Sequence, residues 1–100
     1  MDTTLFNAQT NIAKLCNAYG VRSLDVFGSA THSATPNDYD FVVELDAKAD
    51  VSMARRWIAL ADGLEALLGK PVDLVSGSSI RNPHFAKSVA STRTPIYARQ

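Results

Sequence analysis

The stretch FGSATHSATPNDYDF, residues 27–41, joins two apolar runs and carries the features that decide the fold and the candidate site. The first run ends in Gly28 and Ser29, a turn in which the backbone and a hydroxyl can approach a phosphate. A short polar loop then leads to Asp38 and Asp40, which alternate at the start of the second run. In an extended chain both carboxylates project to one face of a sheet. Such a pair can share a hard cation, which prefers oxygen ligands.

On either side of this stretch, the chain alternates helical and strand-like hydrophobic periods. The predicted strands cover 21–27, 40–45 and 71–75, the predicted helices cover 5–19, 51–68 and 84–91, and a docked tail is predicted at 95–97. Asp50 or Ser52 is the expected N-cap of the second helix, and Gly69 is its expected C-terminal stop. This order predicts an α+β fold, a small mixed β-sheet with helices packed on it, in which the first two strands are antiparallel.

The second predicted helix, residues 51–68, carries an apolar stripe of helical period. Met53 and Trp57 belong to the stripe, so core packing is expected for both in preference to a ligand platform. Arg55 and Arg56 are expected off the stripe on a polar face. That face is either solvated, which is the default, or opposed to an acidic partner surface.

Bulk composition limits the class of protein. One hundred residues, 46% hydrophobic, are expected to form a single domain over 1–100 with one modest core. Ten Lys and Arg balance ten Asp and Glu, which argues against a general nucleic-acid or membrane surface. The lone Cys16 excludes a disulfide framework within the chain and is expected in the core. No signal-peptide pattern or apolar run of membrane-spanning length occurs, so the expected location is the cytoplasm.

A third carboxylate lies far along the chain from the first two. Asp73 sits inside the apolar strand 71–75, where an unpaired charge is costly unless it faces a cation or solvent. If this strand lies beside the second, Asp73 comes close to Asp38 and Asp40. Each feature alone has an ordinary interpretation: a turn, a chance Asp-x-Asp pair or an edge-strand charge. Their joint placement predicts one acidic site that faces a phosphate-binding turn.

The motifs FGS, DYDFVVEL and PVDLV, in this order and with a helix before the last, resemble the minimal nucleotidyltransferases of the DNA polymerase β-like superfamily. The resemblance covers nearly the whole chain and implies a nucleotidyltransferase fold of the polymerase β palm type. It implies that Gly28 and Ser29 bind the triphosphate of ATP. It further implies that Asp38, Asp40 and Asp73 are catalytic carboxylates that hold two Mg²⁺ ions, with Asp73 either binding a metal or deprotonating the acceptor hydroxyl.

The resemblance also implies a partner. Known members of this family are often antitoxins encoded beside a HEPN-type ribonuclease toxin, which they silence by moving AMP from ATP onto a toxin tyrosine. We therefore expect AMP transfer to a protein hydroxyl, within a hetero-complex or a homo-oligomer. Two alternatives stay open at this point. One is an antitoxin that acts by binding and occlusion alone, and the other is nucleotidyl transfer to a small molecule or an RNA end.

The loop after the Gly-Ser turn differs from the pattern that is common in the family. Many members carry Ala-Arg-Gly there, whereas this chain has the shorter loop of residues 30–33, Ala-Thr-His-Ser, without the arginine. A phosphate prefers charge-assisted partners, so another cation is expected to take this role. Arg81 is the first candidate for nucleotide binding and His32 is the second, while a surface position without a role is the alternative for both.

Overall fold

The computed structural model describes residues 3–47 and 52–99. Its elements in chain order are α1 (Thr3–Asn7), α2 (Gln9–Ala18), β1 (Val21–Phe27), β2 (Tyr39–Leu45), α3 (Met53–Leu68), β3 (Val72–Ser76), α4 (Pro83–Thr92) and β4 (Thr94–Ala98). Two short 3₁₀ turns, Gly28–Thr31 and Gly77–Ser79, follow β1 and β3. No helix within the described ranges is long and apolar enough to cross a membrane.

The four strands form one mixed sheet in the order β3-β2-β1-β4. β1 is antiparallel to both β2 and β4, whereas β2 and β3 are parallel. A parallel pair needs a long crossover, which α3 supplies between β2 and β3. The predicted α+β class, the mixed sheet and the antiparallel pairing of the first two strands are confirmed.

Two predicted elements differ from the structure. The first predicted helix is split at Ala8 into α1 and α2, although the N–H of Ile12 still bonds to the Ala8 carbonyl at 2.8 Å. The predicted docked tail is the strand β4, which pairs with β1 along one edge of the sheet. Pro95 made this segment a poor strand candidate, but an edge strand tolerates proline because one side of its backbone has no ladder partner.

The sheet has one face under α1, α2 and α3 and a second face under α4. The first face holds the larger core, which consists of Leu5, Ala8, Ile12, Cys16, Val21, Leu24, Val26, Ala30, Tyr39, Phe41, Val43, Leu60, Leu64 and Leu68. On the second face a smaller cluster joins Phe27 and Val42 of the sheet to Val89 of α4. The alternation of side chains along β1 and β2 produces this division. The predicted core position of Cys16 is confirmed, and Tyr39, which lies between Asp38 and Asp40, is buried in the same core.

The ends of α3 agree with the capping prediction. The Ser52 hydroxyl accepts the N–H of Arg55 at 3.3 Å, which makes Ser52 the N-cap. Gly69 ends the helix with a φ of 71°, in the left-handed region that glycine adopts without strain. The alternative cap, Asp50, lies outside the described residues.

Two predictions about α3 are wrong. Met53 is 54% exposed, because it is the first residue of the helix and periodicity alone does not show that this turn has no packing partner. Arg56 is only 3% exposed and donates to the backbone carbonyls of Tyr19, Gly20 and Asp46. These carbonyls come from the end of α2 and the end of β2, so they offer a buried arginine the acceptors that solvent would otherwise supply. Trp57 packs against the core as predicted, and Arg55 is exposed as predicted.

Candidate active site

The two strands β2 and β3 place the predicted carboxylates side by side. Asp40 and Asp73 are each the second residue of their strand, and the parallel register sets one opposite the other. Residues that share a register in neighbouring strands point to the same face of a sheet. Asp38 lies two residues before Asp40, at the entry to β2. Both strand residues lie on the face covered by α4, since Tyr39 and Phe41 point into the opposite core.

The pKa of Asp40 shows that the three carboxylates interact. Burial raises the pKa of Asp40 above its ordinary value, and the negative charges of Asp38 and Asp73 raise it further. Asp40 is half-buried, whereas Asp38 and Asp73 are exposed. Like charges near a partly desolvated carboxylate disfavour its ionised form, and here that carboxylate is Asp40. A cation or a positively charged ligand would relieve this repulsion.

The Gly-Ser turn abuts the same carboxylate. Gly28 has a φ of 76°, and a Cβ added to it would lie 3.1 Å from Asp40 Oδ2. A side chain at this position would therefore strain the backbone and press on the carboxylate. Ser29 follows in the 3₁₀ turn and is exposed. The structure thus brings the predicted turn and the predicted carboxylates together.

Neither candidate cation of the sequence analysis is paired with the carboxylates in the described part of the chain. Arg81 is exposed in the connection between the second 3₁₀ turn and α4, and among the described residues no hydrogen bond or ion pair joins it to the carboxylates. His32 ends the first 3₁₀ turn, is exposed, and donates its backbone N–H to the Ser29 carbonyl. The contact of either residue with a phosphate stays a prediction.

Two residues near the site were missed by the sequence analysis. Thr92, at the end of α4, accepts the backbone N–H of Gly28 through Oγ1 at 2.9 Å. Arg93 follows it and forms an ion pair with Asp25 of β1. Neither residue belongs to a motif, and only the docking of α4 on the sheet brings them to the Gly-Ser turn. No signal in the sequence identified them.

The donor set suits a hard metal ion, although the ligands are not already gathered. Within residues 3–47 and 52–99, no three His, Cys, Asp or Glu side chains surround a common metal position. Two of the three aspartates, Asp38 and Asp73, are exposed, and like charges repel one another when no cation lies between them. Carboxylate oxygens on adjacent strands are nevertheless the ligands that Mg²⁺ prefers.

Curated relatives place the chain in a family. A protein of Methanocaldococcus jannaschii that is assigned as a protein adenylyltransferase is 35% identical over 77 residues, which cover 75% of this chain and 76% of the relative. The protein adenylyltransferase MntA of Thermococcus cleftensis is 37% identical over 76 residues, 76% of this chain and 75% of the relative. No protein-family model matches the chain.

Solved structures agree with this placement. A structure assigned as a minimal nucleotidyltransferase superposes with a TM-score of 0.73 at 28% identity and covers 95% of this chain and 96% of its own. A toxin–antitoxin structure with AMP-PNP shares the fold, with a TM-score of 0.66 and 23% identity. The match covers 92% of this chain and 74% of that chain. The complex of a tri-AMPylated Shewanella oneidensis HEPN toxin with an MNT antitoxin shares the fold too, with a TM-score of 0.64 and 22% identity. The match covers 96% of this chain and 74% of that chain.

Fold and site together define a nucleotidyltransferase. More particularly, the chain belongs to the minimal nucleotidyltransferases, the family whose curated relatives are named protein adenylyltransferases. The resemblance read from the Gly-Ser, Asp-x-Asp and third-Asp motifs is confirmed.

Proposed function

We propose that this protein transfers AMP from ATP to a hydroxyl group of a partner protein, a tyrosine of a HEPN-type toxin, with release of pyrophosphate, and so acts as an antitoxin. The observation that carries the proposal is the in-register pair of Asp40 and Asp73, with Gly28 against the Asp40 carboxylate. The names of the relatives support AMP transfer, and the AMP-PNP structure supports ATP as the donor. The complex of an AMPylated HEPN toxin with an MNT antitoxin supports the partner.

In this proposal the residues of the turn bind the nucleotide. Gly28 lacks a Cβ, which leaves the backbone of the turn free to approach a phosphate. Ser29 offers an exposed hydroxyl and backbone N–H, and phosphoryl transfer depends mainly on such positioning and on charge neutralisation. Arg81, with His32 as the second candidate, contacts the triphosphate when it is bound.

In the proposal the carboxylates bind the metal and act on the acceptor hydroxyl. Asp38 and Asp40 would bind Mg²⁺, with Asp73 as a third ligand from the neighbouring strand. When bound, Mg²⁺ would neutralise charge on the triphosphate and make the attacking hydroxyl oxygen a better nucleophile. The alternative role for Asp73, which is exposed, is to accept the proton of the acceptor hydroxyl.

The open side of the site favours a protein acceptor. Of the described helices, α4 alone packs on this face of the sheet, where it covers Phe27 and Val42. Asp38, Asp73 and Ser29 are left exposed beyond that contact. In our proposal residues 1–100 act as one domain in the cytoplasm, and the partner completes the site from the open side.

A labelling experiment tests the proposal. The protein is incubated with the toxin partner, Mg²⁺ and ATP labelled at the α-phosphate, beside an Asp38→Ala/Asp40→Ala variant. Asp62→Ala is the matched control, because Asp62 is exposed on α3, on the other side of the sheet. We expect the label to reach the toxin with the wild type and the control, and transfer to fall roughly a thousandfold in the double variant.

The same experiment separates transfer from occlusion. If the label never reaches the toxin and the double variant still neutralises it, the protein acts by binding alone and the proposed transfer is wrong. If the label appears only on a small molecule or an RNA end, the acceptor in the proposal is wrong.

A further inference from the structure

Both polar backbone atoms of Gly28 are held by threonine hydroxyls. Its N–H donates to Thr92 Oγ1 at 2.9 Å, and its carbonyl accepts from Thr31 Oγ1 at 2.7 Å. The Thr31 contact is local, whereas Thr92 is 64 residues away and belongs to another element. The conformation of the Gly-Ser turn therefore depends on where α4 is docked.

The Thr92 hydroxyl takes the place of a missing strand partner. The ladder between β1 and β4 ends at the pair Val26–Thr94, so β4 offers no backbone carbonyl opposite Gly28. An unpaired N–H at this point would be a costly orphan in a partly buried position. The side chain of Thr92 extends the hydrogen bonding of β1 by one residue, up to the point where the turn begins.

Thr92 is itself fixed in direction. Its hydroxyl donates to the Ser88 carbonyl at 3.2 Å, so an oxygen lone pair is what it presents to Gly28. Further along α4, the ring of Phe85 meets that of Phe27 edge to face, with centroids 5.9 Å apart. The helix thus presents this one acceptor from a rigid position.

The short distance between Gly28 and Asp40 explains why the hydrogen bond from Gly28 to Thr92 matters. An added Cβ on Gly28 would lie only 3.1 Å from Asp40 Oδ2, so a small rotation of the turn changes the space beside the carboxylate. The N–H of Gly28 is already used by Thr92, which leaves the exposed Ser29 as the donor that faces a phosphate. We infer that Thr92 is a positioning residue, which sets the Gly28–Ser29 turn against Asp40 and so determines the affinity for the nucleotide. The inference rests on the proposed function, in which this turn binds the triphosphate.

Three variants test the inference in the full chain. Thr92→Val keeps the shape of the side chain and removes the hydroxyl, and Thr92→Ser restores a hydroxyl. Thr94→Val is the matched control, because it makes the same change two residues away and removes a bond to the Thr92 carbonyl without touching Gly28. Hydrogen exchange of the Gly28 amide is followed by NMR against the amides of β2, and the KM for ATP and kcat are measured for AMP transfer to the toxin.

We expect Thr92→Val to speed exchange of the Gly28 amide about tenfold and to raise the KM for ATP about tenfold, the size of effect that follows from one lost hydrogen bond. The kcat should change less than about twofold, because the carboxylates are untouched. Thr92→Ser and Thr94→Val should stay within about twofold of the wild type in both readouts. A general loss of packing would instead affect the Thr92→Val and Thr94→Val proteins alike and would not be rescued by serine.

The inference is overturned if Gly28 exchange in Thr92→Val matches the wild type, or if its KM for ATP matches that of Thr94→Val. If the wild type itself transfers no AMP, the proposed function fails, and Gly28 exchange together with the affinity for AMP-PNP decides the role of Thr92. Faster exchange with weaker AMP-PNP binding then supports positioning, and an unchanged value of either one contradicts it.

Discussion

The two faces of the sheet are made from alternating residues of the same strands, yet they differ in what they contribute. On the face under α1, α2 and α3, Tyr39 and Phe41 are fully buried and their rings stack at 6.2 Å. On the face under α4, Asp40 lies between them in sequence and beside Asp73 across the strands. One face therefore buries most of the core, while the other carries, beside a smaller apolar cluster, carboxylates whose charges raise the pKa of Asp40.

This comparison explains how a small chain holds a charged site without losing its core. Burial of an aromatic side chain such as Phe41 contributes about 2–3 kcal/mol, so one face can supply the stability that the other lacks. The raised pKa of Asp40 shows that charge on the second face is unfavourable in the folded protein. A residue's contribution to stability should therefore depend on the face to which it points.

Phe41→Ala is expected to have the largest effect on stability. Removal of a fully buried ring from the α1–α3 face should lower the free energy of unfolding by about 3–5 kcal/mol. Urea denaturation followed by the fluorescence of Trp57 measures this change. Phe85→Ala is the control from the other face, where the ring is 40% exposed, and it should cost clearly less. Equal losses in the two variants would contradict the division of roles.

Arg56→Met is expected to have the second-largest effect on stability. It keeps an apolar stem but leaves the carbonyls of Tyr19, Gly20 and Asp46 without the donors that Arg56 provides, at a cost of about 1–3 kcal/mol. Arg55→Met is the matched control, since its neighbouring side chain is exposed and should change stability by no more than about 0.5 kcal/mol. Thermal unfolding of the two proteins decides the point, and a similar Tm for both would show that the buried contacts contribute nothing.

Asp40→Asn should have the smallest effect on stability, and it should raise the free energy of unfolding where the other two variants lower it. Because the pKa of Asp40 is raised, the folded protein holds this proton more tightly than the unfolded chain, whose carboxyl has the ordinary value of 3.8. The free energy of unfolding therefore rises as the pH falls through the raised pKa towards 3.8, and at pH 7 the ionised group costs stability.

Removal of that charge in Asp40→Asn should raise the Tm at pH 7, in EDTA, by roughly 1–4 °C and should weaken this pH dependence. AMP transfer should be lost at the same time. Asp62→Asn, on the exposed side of α3, serves as the control and should leave both properties near their wild-type values. A lower Tm for Asp40→Asn would show that its carboxylate stabilises the fold, contrary to the comparison of the two faces.

Much of the fold and the centre of the site follow from local patterns in the sequence. β1 ends where Gly28 follows Phe27, and the alternation of Asp38 and Asp40 predicts a shared face. Asp73 could be linked to them because an acidic residue in an apolar strand requires a partner or solvent. For the end of β1 and for the Asp38 and Asp40 pair the determining pattern is local, whereas the position of Asp73 beside Asp40 comes from the parallel pairing of β2 and β3.

Features that depend on the meeting of distant elements were not predictable in this way. The burial of Arg56 depends on carbonyls that arrive from α2 and β2, and no period in α3 signals them. The role of Thr92 depends on the docking of α4, and the strand β4 depends on an edge that accepts Pro95. Local propensity is a weak guide where tertiary contacts supply the deciding hydrogen bond.

The central claim is that the face under α4 is a metal and nucleotide site built from Asp38, Asp40 and Asp73. Titration with Mn²⁺ in the presence of AMP-PNP, followed by electron paramagnetic resonance, tests it most directly with the wild type, Asp73→Asn and Asp25→Asn. Asp25 is the matched control because it lies on β1 and is paired with Arg93. We predict that Asp73→Asn weakens Mn²⁺ binding at least about tenfold while Asp25→Asn binds as the wild type does. Equal binding by all three proteins, or equal weakening in the two variants, would contradict the account.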